Sequence, residues 1–80
     1  GFIEYRTNIY KIQITTDSEG KYTFNDFISI YSIYISANNL YYEFYQNESA
    51  RLVITIYRKN DDSPFTGTFD VFVIGYKIGT

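Results

Sequence analysis

The sequence predicts an all-β fold, a small antiparallel β-sandwich of about six to seven strands that acts as an oligomerising unit. Three observations lead there. Aromatic and β-branched residues dominate the chain, with 10 Tyr and 7 Phe among 80 residues, and such side chains suit a pleated, half-buried surface. Apolar and polar residues alternate with a period of two over short runs, as one wet and one dry strand face require. Clusters of Asn, Asp, Ser and Gly punctuate the runs at the spacing expected of a sandwich or barrel. No stretch has a helical period strong enough to compete, the residues around 41–47 included.

The first run, Asn8–Thr15, places Tyr10, Ile12 and Ile14 on one face and Lys11, Gln13 and Thr15 on the other. Asp17, Ser18, Glu19 and Gly20 then read as a turn, with Gly20 free to take positive φ. With the run Lys21–Phe24 that follows, the pattern predicts a hairpin. Residues 28–36 change phase near Tyr31 and Ser32, because Ile28 and Ile30 precede that point on even positions and Ile33 and Ile35 follow it on odd ones. Either a β-bulge or burial on both faces produces such a switch.

After a turn at Ala37, Asn38 and Asn39, one stripe holds Leu40, Tyr42 and Phe44 and the other Tyr41, Glu43 and Tyr45. Residues 46–50 close that strand. Residues 51–58 form the clearest amphipathic strand, with Leu52, Ile54 and Ile56 inward and Val53, Thr55 and Tyr57 expected to be more exposed. Residues 59–67 are a polar loop, and Pro64 keeps it out of a central strand. The last strand, residues 68–78, carries Phe69, Val71 and Val73 on one side and Phe72, Ile74, Tyr76 and Ile78 on the other. Apolar residues on both faces call for a second layer or a larger assembly.

Size sharpens that expectation. Eighty residues make one domain, residues 1–80, and a core this small is thin. With no Cys and no His, neither disulfides nor the usual zinc ligand sets can staple it. Rings and neighbouring copies are the remaining means of support. Gly1 at the start and the absence of Met predict a piece of a longer polypeptide.

The same absences narrow the function. Catalytic constellations built on His or Cys are excluded, and the commonest general base at neutral pH is missing. Paired carboxylates drawn from Glu4, Asp26, Glu43 and Asp70 would need a cleft that so small a domain has little room for. No glycine-rich phosphate loop is present. The expectation is a non-enzyme without a cofactor. A net charge of −2 with scattered Lys and Arg argues against nucleic acid, and no apolar run is long enough for a membrane helix. Asp61 and Asp62 offer hard oxygen ligands, but their spacing lacks the alternation of a calcium loop, and they read as a turn. Asn47, Glu48 and Ser49 match a glycosylation acceptor, a pattern that also arises by chance.

So many rings cannot all fit in a thin core, so a surface cluster is expected. Flat amphipathic rings suit sugar faces and protein hot spots alike, and polar loops tend to carry function. The candidate ligand-binding residues are therefore Tyr41, Tyr45, Tyr57, Arg58, Asn60, Asp61 and Asp62, with Tyr31 and Tyr76 as further rings at the surface.

The C-terminal third carries a resemblance. Leu52-Val53-Ile54-Thr55-Ile56-Tyr57-Arg58, then a polar loop with Pro64 and Gly67, then the strand from Phe69 to Lys77, is similar to the last strands of small β-sandwich tip domains of phage tail fibres and related virion attachment proteins. Some of these domains are H-type-lectin-like. The resemblance implies a receptor-binding domain in a homo-oligomer, a trimer by preference, at an extracellular or virion surface, with a cell-surface glycan or protein as partner. It brings no sugar-binding motif and assigns no residue. The alternatives are a structural β-module of a virion or cell-surface protein and a carbohydrate-binding module appended to a secreted hydrolase.

Overall fold

A computed structural model of the chain describes residues 7–49 and 51–77. These residues are all-β, with six strands: β1 (Asn8–Thr15), β2 (Lys21–Phe24), β3 (Phe27–Ile35), β4 (Leu40–Gln46), β5 (Leu52–Arg58) and β6 (Thr68–Lys77). They form two three-stranded antiparallel sheets, β1-β6-β3, here sheet I, and β2-β5-β4, here sheet II. The chain changes sheet at every connection except β4 to β5, which alone is a hairpin. The predicted β1–β2 hairpin is therefore corrected. β1 pairs with β6 and β2 with β5.

Local bonding explains why the chain turns between sheets there. The Asp17 carboxylate accepts the N–H groups of Glu19 (2.8 Å) and Lys21 (3.0 Å), and Gly20 has φ +78°. Gly20 lies against sheet II, its carbonyl accepting from Ile56 N–H at 2.8 Å. Just upstream, Thr16 is buried; its hydroxyl donates to the Phe65 carbonyl (2.7 Å) and accepts from Gly67 N–H (3.0 Å). The turn thus joins the 59–67 loop rather than folding β2 back on β1.

One buried cluster draws on both sheets. Ile14, Phe27, Ile33, Val71 and Val73 come from sheet I, and Phe24, Leu40, Ile54 and Ile56 from sheet II. Ile14, Ile54, Ile56, Val71 and Val73 are sealed from solvent, each worth about 1.5–3 kcal/mol of burial. Rings close the cluster at both ends. At one end Phe24 meets Phe27 edge-on at 5.6 Å and Phe27 meets Tyr10 at 5.5 Å. The Lys77 ammonium lies 4.9 Å from the Tyr10 ring centre and 3.4 Å from the Asp26 carboxylate. At the other end Phe65 meets Phe69 at 5.7 Å.

The phase change in β3 is produced by bulges. Its register against β6 slips between Phe27 and Ser29 and again between Ile30 and Ser32, leaving Ile28 and Tyr31 as the extra residues. Each insertion moves the inward position on by one. Phe27, Ile30, Ile33 and Ile35 consequently all join or pack against the core, while Ile28, Tyr31 and Tyr34 are exposed. Gly75 makes the second bulge possible, since a Cβ there would run into the Ser29 carbonyl.

The expected exposure of Val53 and Thr55 is also corrected, because both are buried. β5 is the central strand of sheet II, and Val53 sits between Thr23 and Tyr45 while Thr55 sits between Lys21 and Glu43. The flanking side chains cover them. Ile78, read as part of the last strand, lies outside the described residues, as does Glu4.

Gly75→Ala tests the bulge. Strand propensity alone would favour Ala, but collision with a backbone carbonyl is expected to cost about 1–3 kcal/mol, as overpacking does. A lower urea midpoint with an unchanged slope is the expected result; an unchanged or higher midpoint would mean that the bulge does not crowd Gly75.

Candidate functional site

The face of sheet II turned away from the core is built from three cross-strand rows. Tyr57 pairs with Tyr41, Thr55 lies between Lys21 and Glu43, and Val53 lies between Thr23 and Tyr45. The alternation that sends Leu40 and Ile56 inward sends Tyr41 and Tyr57 outward. Their rings stack with centres 5.2 Å apart and planes 26° from parallel.

Both hydroxyls are tied to carboxylates. Tyr41 donates to Asp62 Oδ1 at 2.7 Å, and Tyr57 donates to Glu43 Oε2 at 3.3 Å. Asp62 reaches Tyr41 from the loop in a left-handed conformation, φ 59°, which Asp tolerates better than most residues. The bond from Asp62 N–H to the Arg58 carbonyl (2.9 Å) and that from Arg58 N–H to the Ser63 carbonyl (2.8 Å) hold that turn. The Asp61 carboxylate caps it, accepting from the Ser63 hydroxyl (2.6 Å) and N–H (3.1 Å). These bonds also hold the Asp61 carboxyl below its ordinary value. Lys59 N–H donates to the Asn39 carbonyl at 2.9 Å, joining the loop to the start of β4.

The hydrogen bond to Asp62, assisted by desolvation and by the neighbouring negative charges, pushes the Tyr41 phenol up to about 12 from its usual 10.0. The Tyr57 phenol is raised as well, chiefly by desolvation and then by the Glu43 charge. At neutral pH both hydroxyls are donors engaged with carboxylates. The second oxygen of each carboxylate remains to accept from another molecule.

Of the seven candidate residues, Tyr41, Tyr57 and Asp62 are brought into direct contact. Asn60 and Asp61 are exposed on the same turn. Tyr45 shares the face and is exposed, but it lies four residues from Tyr41 along β4, about 13 Å away. Arg58 stands opposite Leu40, and its guanidinium carbon is 5.6 Å from the Phe65 ring centre, so it is engaged with the loop rather than with the tyrosine pair. Glu43 and Lys21 belong to the face and were not among the candidates. Two-residue spacing from Tyr41 and Tyr45 points to Glu43, but Lys21 follows only from the β2–β5 register.

Among the described residues no group of three or more His, Cys, Asp or Glu side chains is placed to hold a metal ion. The acids weighed for catalysis stand on separate elements: Asp26 by Lys77, Glu43 by Tyr57, and Asp70 3.9 Å from Lys11. No helix of the described residues is long and apolar enough to cross a membrane.

No family model, curated protein or solved structure matches the chain.

The Tyr41–Asp62 bond sets a pH dependence. A phenol whose folded value lies above its unfolded one stabilises the fold fully below about pH 10 and loses that contribution as pH rises through about 12. Asp62→Asn should bring the Tyr41 transition back toward 10, read as the difference between ultraviolet titrations with and without Tyr41→Phe. An unmoved transition would show that Asp62 does not hold the phenol.

Proposed function

We propose that this chain is a non-enzymatic attachment module, its two sheets packed as a small sandwich, that binds a cell-surface ligand through the outer face of sheet II. The observation that carries the reading is the Tyr41–Tyr57 stack with a carboxylate bound to each hydroxyl. Rings fixed by such bonds lose little freedom when a ligand arrives, and that loss is a main cost of binding.

The chemistry favours a glycan over an apolar protein surface. Ring carbons supply flat apolar area, while Asp62 and Glu43 offer acceptors to sugar hydroxyls and the exposed Asn60 amide offers both donor and acceptor. The overall charge of −2 and the two carboxylates in the platform direct the choice toward neutral or cationic sugars. An extracellular or virion-surface setting and a parent fibre or adhesin fit this reading. Either alternative, a structural module or an appended carbohydrate-binding module, would have to account for the same platform.

A glycan array followed by calorimetry on the retained sugars is the test. Tyr41→Ala and Tyr57→Ala should each weaken binding at least about tenfold, as loss of an interface anchor does, with the circular dichroism spectrum unchanged. Silence across the array, or full binding by both variants, would remove the proposal.

A further inference from the structure

The face of sheet I turned away from the core is chemically different. Phe72, Ile74 and Tyr76 run down its middle on β6, with Ile9 and Lys11 beside them on β1 and Tyr34 and Ser32 on β3. Ile9 is 69% exposed, Tyr34 64% and Tyr31 60%. Tyr34 leans on Phe72 with ring centres 6.3 Å apart, and Tyr31 meets Tyr76 edge-on at 5.5 Å. No layer of the described residues covers these side chains.

We infer that this face is where further copies of the same chain pack, face against face. Charge is the first ground. The strand residues on this face carry one cation and one anion, Lys11 and Asp70, 3.9 Å apart. An identical face therefore meets no net repulsion, and the two pairs can exchange partners across the contact. A charged partner would find no field to follow. The centre is the second ground: branched aliphatic side chains and ring faces offer a sugar few hydrogen bonds but match another such surface.

Area is the third ground. Three strands about 4.8 Å apart and up to ten residues long at about 3.3 Å each give a patch of about 14 by 33 Å. With side-chain relief added to that projection, the patch approaches the roughly 600 Å² per partner at the small end of stable interfaces. Sheets stacked face to face sit about 10 Å apart and aligned within about 30°, a geometry open to both sheets of such a pair.

This inference does not depend on the ligand platform, which lies on the other sheet. Light scattering and sedimentation of the 80-residue chain from about 1 μM to about 1 mM, a span that covers weak association, provide the test. The unmodified chain should reach the mass of two chains. Ile9→Lys and Tyr34→Lys should each shift assembly to at least tenfold higher concentration, since the contact would bury an added charge against apolar side chains of the other copy. Both side chains are more than 60% exposed, so circular dichroism should stay native. Tyr41→Ala should assemble like the unmodified chain. A monomer at every concentration, or assembly undisturbed in both lysine variants, would overturn the inference.

Discussion

Strand β6 sends apolar side chains to both sides of sheet I. Phe69, Val71 and Val73 enter or pack against the core, and Phe72, Ile74 and Tyr76 lie on the opposite face. A central strand with two apolar faces needs a layer on each, and the described residues contain one other sheet. That shortage organises the molecule. One face of β6 meets the residues that sheet II turns inward, notably Ile54 and Ile56, while the other is only partly screened by Ile9, Tyr34 and Tyr31. Gly75 is the concession β6 makes within its own sheet: by lacking a Cβ it lets the Ser29 carbonyl approach, and the second bulge of β3 depends on it.

The chain route follows from the same demand. Alternating between sheets at each connection but one brings inward residues from both layers into a single cluster without long crossovers. The joints that make this possible are polar and fixed. Thr16, buried beneath the 59–67 loop, bonds the Phe65 carbonyl and Gly67 N–H, and the Thr66 hydroxyl bonds the Asp17 carbonyl at 2.7 Å. Gly20 fits beneath the same loop because a Cβ there would lie 2.6 Å from the Ile56 carbonyl oxygen. The loop is therefore held from below by a turn whose contacts with it span 49 to 51 residues of chain and from above by Tyr41, which explains how an exposed polar segment comes to present Asp62 at one defined place.

Strand positions were legible in the sequence because the period-two pattern is a local property. The alternation in Asn8–Thr15 and the phase switch at Tyr31 and Ser32 both correspond to features of the fold. Pairing was not legible. A turn rich in Asp, Ser and Gly looks the same whether it joins two partners or carries the chain to another layer, so Asp17–Gly20 suggested a hairpin that does not exist. The burial of Val53 and Thr55 was hidden for a related reason: a central strand gains cover from long side chains on both neighbours, and a single strand's pattern cannot reveal its neighbours. In the candidate site, Tyr41, Tyr57 and Asp62 were named from composition and loop position alone. Arg58 is not brought to the tyrosine pair, because strand parity puts it on the face of Leu40, a parity that its position at the end of the run obscures.

The edges of the two sheets bear on which surfaces remain for other molecules. A regular exposed edge invites open-ended pairing between chains. β2 has only four residues, β3 is twice bulged, and β1 carries Lys11 near its middle; short length, irregularity and a charged side chain are the known deterrents. β4, seven residues with no register shift against β5, lies at the remaining edge. Hydrogen-bonded growth along the sheets is thus opposed on several sides, while the outer faces are centred on β6 and β5, whose pairing with β1 and β4 has no register shift. Contacts between such faces can close on themselves in a finite assembly, whereas edge-to-edge addition leaves a new edge at every step. The distribution of bulges, lengths and charges therefore leaves the faces more open to other molecules than most of the edges, and the difference in chemistry between the two faces is what assigns the proposed self-association to sheet I and the proposed ligand contact to sheet II.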